Sequence, residues 1–173
     1  MKKLVHNVVW PAVAGNVLWS FLQLLSDPTA SDPAPWPRLV SLLLVGAYLS
    51  IDWVHTENEP QINDFYWIAD VPLAAALAAF AVATQLGVTW APIALAAAFL
   101  VATVGHCFGA WDKTTSPSSC KARAGFAGIN VLGPIVLFIG TFLNQPLSDW
   151  STPVAVLLVV SLFLLCRKTV ASW

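Results

Sequence analysis

Charge is what this sequence has least of. Only 10% of its 173 residues are Asp, Glu, Lys or Arg, against about 25% in an ordinary soluble domain. Eight basic residues face nine acidic ones, so there is no basic footprint and nucleic acid is excluded as a partner. The three cysteines, Cys107, Cys120 and Cys166, form no CxxC pair and are too scattered for a disulfide framework. Three histidines are too few for the multi-histidine di-iron sets of membrane desaturases. No HExxH or EF-hand spacing, Gly-rich phosphate loop or nucleophile elbow is present.

What fills the chain instead is apolar. Hydrophobic residues make up 58% and the mean hydropathy is +0.73, the composition of a polytopic membrane protein. About 20 apolar residues cover a hydrocarbon core. Six segments meet that length, over approximately 4–25, 37–56, 64–87, 89–111, 123–144 and 152–171. Pro-, Asp- and Ser-rich stretches punctuate them, with a tight turn at Gly87-Val88. Ser151 and Thr152 ahead of Pro153 predict the start of the last helix, and Pro92 marks the start of the fourth. The expected fold is a single all-α domain, a six-helix transmembrane bundle.

Basic residues set the expected orientation. Lys2, Lys3, Lys113, Lys121, Arg123, Arg167 and Lys168 fall on one side and Arg38 alone on the other. An excess of Lys and Arg marks the cytoplasmic side, which places both termini there. Trp36, Trp90 and Trp150 would then belt the outer interface, and Trp53, Trp67 and Trp111 the inner one. Lys2 and Lys3 before an apolar run resemble a signal peptide, but His6, Asn7 and Pro11 interrupt it. The run reads as a retained helix of a multi-pass inner-membrane protein with no cleaved signal.

Five of the nine carboxylates fall between Tyr48 and Asp70. Tyr48, Asp52, His55 and Glu59 are spaced for one helix face, although Pro60 limits how far that helix runs. The loop between the second and third segments is acidic and would attract a cation or an amine. Counting inward at 1.5 Å per residue, Asn7, Asp52, Asp70, His106 and Asn130 sit roughly 6–10 Å below the inner boundary. Pro11 and Pro134 free the carbonyls of Asn7 and Asn130, and Pro72 frees that of Ile68. In the outer half of the first helix, Asn16, Trp19, Ser20 and Gln23 form a second polar stripe. It either extends a polar path or bonds two helices together.

Ionisable groups within membrane spans default to functional roles. Asp70 with His106, and Asp52 with His55, are the expected acid-base or proton-coupling pairs. Asn7, Tyr48, Trp67 and Asn130 are the expected substrate-binding residues. His55, Glu57, Asp64 and His106 have the ligand types a divalent metal would use. The leading expectation is a transport or binding protein for a cation or small polar or amphipathic molecule. The alternatives are a lipid- or isoprenoid-modifying enzyme and a non-catalytic subunit of a larger membrane complex. The lipid bilayer is the first partner, with a homo-oligomer or a membrane partner subunit the others expected.

Overall fold

The computed structural model describes residues 4–26, 35–57, 64–111, 117–144 and 147–170, without the side chains of residues 6, 52–57, 64–67, 117–119 and 167–170. Among the described residues there are six α-helices and no strand. A π-helical turn, Val5–Val9, leads into α1 (Trp10–Ser26). The others are α2 (Trp36–Glu57), α3 (Asp64–Leu86), α4 (Ala91–Trp111), α5 (Pro117–Gly140) and α6 (Leu147–Val170). Five of these, all but α2, are long and apolar enough to cross a membrane. The apolar part of α2 is shorter, Trp36–Ile51.

The last two helices begin earlier than expected. α5 starts at Pro117, where a proline suits the first turn because its missing N–H would have no helical acceptor there. α6 starts at Leu147 rather than at Ser151-Thr152, with Asp149 in its first turn favouring the positive end of the helix dipole. Ser151 does not cap the helix; its hydroxyl donates to the Ser148 carbonyl at 2.6 Å.

Small residues set how the helices pair. Val17 lies beside Gly46, Ala69 beside Gly105, Phe99 beside Gly133, Cys166 beside Gly125 and Ser151 beside Gly140. Each such contact falls at a near-equal sequence distance from the turn joining its two helices, so consecutive helices are antiparallel. At the α3–α4 turn Gly87 has φ +67°, a left-handed conformation that glycine adopts without Cβ strain. Gly87 N–H donates to Thr84 and Val88 N–H to Ala83, the Schellman arrangement that ends a helix. Arg38 adds a cap from α2, its Nε donating to the Thr84 carbonyl at 2.6 Å and its Nη2 to that of Gln85.

Helix neighbours close a ring in the order α1, α2, α6, α5, α4, α3. Its interior is filled by Leu42, Leu77, Phe80, Leu95, Phe99 and Val156. The outside is apolar too, with Leu43, Ile93, Leu100, Phe138 and Leu165 exposed. An apolar interior inside an apolar exterior is what a lipid-facing bundle requires. The end holding the Gly87 turn is called upper below, and the opposite end lower.

Candidate functional site

Against that apolar interior, a few buried polar side chains stand out near the lower end. α3 contributes Asp70 (5% exposed), α4 His106 (4%) and α5 Arg123 (3%). Asp70 and His106 line one crevice between α3 and α4, with Ala69, Leu73, Ala102 and Gly105. Its empty volume is about 250 Å³, open mouth included, and the part a water centre can reach has room for about one molecule. Gly105 lines the crevice at the α3–α4 contact, where a Cβ would lie in ordinary contact with that of Ala69, 3.5 Å away.

The crevice has an aromatic back wall. The His106 ring rests on Phe126 with centroids 5.6 Å apart, and Phe126 stacks on Phe163 of α6 at 4.1 Å. One turn below, Arg123 crosses to α4 over Gly109. A Cβ at Gly109 would collide with Arg123 Nη1 and come within 3.0 Å of its Cδ. Oδ2 of Asp70, Nδ1 of His106, and Nε and Nη1 of Arg123 are buried and make no hydrogen bond, although each residue has further interactions.

One turn above Phe126, Asn130 is fully buried. Its Nδ2 donates to the Phe126 carbonyl at 2.9 Å, and its Oδ1 accepts from the Tyr48 hydroxyl of α2 at 3.3 Å. Tyr48 meets Phe99 edge-on at 5.9 Å. Phe126 thus carries His106 on its ring and Asn130 on its carbonyl, tying the two polar pairs into one inner layer.

The structure therefore brings together Asp70 with His106, and Tyr48 with Asn130. Asn7 differs from expectation: it is exposed and does not belong to the buried layer. The π-turn explains this. Its i→i+5 bonding, seen where Trp10 N–H donates to Val5, widens the helix and puts Val5 and Trp10 on the buried side instead. Asp52, His55 and Glu57 lie on α2, and Asp64 and Trp67 on α3. Their side chains are outside the described residues. Among the described residues no three His, Cys, Asp or Glu side chains gather to hold a metal ion.

Sequence reading offers Arg123 as a topological charge and, with Lys121, as a structural partner for Asp70 near the interface, but it does not anticipate that Arg123 is buried. The available signal was Gly109, a small residue one turn from His106 that makes room for a long side chain. No protein-family model matches the sequence, and neither a curated protein nor a solved structure does.

Proposed function

We propose that this chain is a six-span membrane protein with both termini on the cytoplasmic side, and that it binds and translocates a cation at the Asp70–His106 crevice. The observation that carries the reading is that these two ionisable residues, from different helices and both buried, line the same crevice of an otherwise apolar bundle. Burying such groups in lipid is costly, so their presence argues for use. A carboxylate and an imidazole lining one crevice can each take up and release a proton, which suits the pair to proton coupling. Room for about one water suits a proton or small ion and is too little for a lipid headgroup. That observation ranks translocation above lipid chemistry.

Support for six spans comes from α2. Its 22 residues reach about 33 Å, enough for the hydrocarbon core even though its lower end is polar.

The test is proton flux into vesicles containing the purified protein and pyranine, driven by a valinomycin-set potassium potential. Wild type is expected to acidify the lumen well above protein-free vesicles. Asp70→Asn should lower the rate at least tenfold and His106→Gln several-fold, both variants eluting as wild type in detergent. An Asp70→Asn, His106→Ala double variant as fast as wild type would sink the reading.

A further inference from the structure

Several hydroxyls among the described residues of the helices are satisfied locally. Ser41, Ser50 and Thr103 each donate to the carbonyl four residues back, at 2.6, 2.9 and 2.9 Å. Four other buried polar atoms make no hydrogen bond at all: Trp10 Nε1, Asn16 Oδ1, Ser20 Oγ and Thr84 Oγ1. Trp10 is 1% exposed, Ser20 0% and Thr84 4%. Nine-tenths or more of buried polar groups in proteins have a partner, and water supplies it where protein does not.

These four atoms are not scattered. Val17 beside Gly46, and Arg38 reaching the Thr84 carbonyl, set the approximate register of α1 and α3, each antiparallel to α2. α1 and α3 therefore run in the same direction, with Trp10 level with Ala69, Asn16 with Ala75 and Ser20 with Ala79. Counted along the helices from Asp70, the four residues stand at about −2, 8, 14 and 21 Å toward the upper end. Asn16, half-buried, and Ser20 are one turn apart on α1, and Thr84 shares the buried face of α3 with Asp70 two heptads below it.

We propose that the seam between α1 and α3, beside the filled interior, holds a file of water molecules, hydrogen-bonded in turn by Trp10, Asn16, Ser20 and Thr84, that joins the Asp70–His106 crevice to the upper surface. Axial steps of roughly 6–9 Å are each bridged by two or so waters. The hydration stands on the four orphaned atoms alone. Its use as the upper half of a translocation path rests on the function proposed above.

The experiment is thiol accessibility in a Cys107→Ala, Cys120→Ala, Cys166→Ala background reconstituted in vesicles. Ser20→Cys, Thr84→Cys and a Leu77→Cys control are exposed to a charged, membrane-impermeant methanethiosulfonate. Leu77 is 0% exposed and lies between Ser20 and Asp70 in depth. Water in the file predicts labelling of the Ser20 and Thr84 thiols at least tenfold faster than the control. Labelling of Ser20→Cys at the control rate overturns the inference. Where a cysteine variant fails to fold, hydroxyl-radical footprinting of the unaltered protein decides. Trp10 should then oxidise at a rate near that of exposed Trp36, and a Trp10 as resistant as buried Phe99 overturns the file. The two proposals fail separately. Fast labelling without Asp70-dependent flux keeps the water and removes the path, whereas slow labelling with flux removes the file and leaves the crevice.

Discussion

Single residues in this bundle are constrained by how closely the helices approach. Gly133 faces the Phe99 ring, which a Cβ at that position would penetrate, whereas a Cβ at Gly128 of the same helix would meet nothing within 4 Å. Gly133→Ala is therefore expected to lower unfolding stability by about 1–3 kcal/mol through overpacking, while Gly128→Ala should cost nothing. Steric-trap unfolding in detergent measures both, and equal effects would contradict the α4–α5 packing. At this scale the sequence was informative about chemistry. Asp70, His106 and Asn130 are conspicuous because polar side chains interrupt apolar runs, and all three are buried. Asn7 has the same sequence signature and is exposed, because a count of depth says nothing of facing and the π-turn Val5–Val9 shifts the phase of the helix there. Trp10 and Thr84 carried no signal, since a tryptophan and a threonine are ordinary in membrane helices until their polar atoms prove to have no partner.

Helices as elements owe their lengths to apolar runs and their ends to specific chemistry. The α3–α4 turn was legible, because a glycine between two Ala-rich apolar segments has few other uses. Its second support was not, since Arg38 lies 46 residues from Thr84 and nothing local pairs them. A cation at a helix C-terminus meets both the free carbonyls and the dipole. Arg38→Met removes both carbonyl contacts, each a hydrogen bond from a charged donor, and should cost about 2 kcal/mol. A lowered thermal unfolding midpoint in detergent is the expected result. An unchanged midpoint would mean that the Gly87 turn closes α3 unaided. The early starts of α5 and α6 show the limit of boundary reading, since Ser and Thr before Pro153 satisfied every local rule for a start that the chain does not use there.

The molecule as a whole is a closed ring of helices whose two ends differ in charge and in aromatics. Trp36, Trp90 and Trp150, all at least 42% exposed, stand at the upper end, and Trp111 at the lower. Among the described residues Arg38 is the one basic residue at the upper end, so the orientation proposed above puts the lower end on the cytoplasmic side. With six spans, a green-fluorescent fusion at either terminus is expected to fluoresce, and an alkaline phosphatase fusion after residue 30 should be active. If α2 lay on the surface instead, leaving five spans, the two termini would report opposite sides.

Composition and the spacing of apolar runs determined by themselves that the chain is helical, that its helices suit a membrane and where five of them lie, because lipid leaves the backbone no alternative to helices of that length. Residue type also nominated the carboxylate and the imidazole. Tertiary structure alone decided which polar groups meet. Asp70 shares a crevice with His106 because α3 and α4 pack side by side there, and Arg123 is buried because Gly109 leaves space for it. Such meetings depend on helix order and register, which arise from close contacts between residues distant in the chain, and no local pattern encodes them.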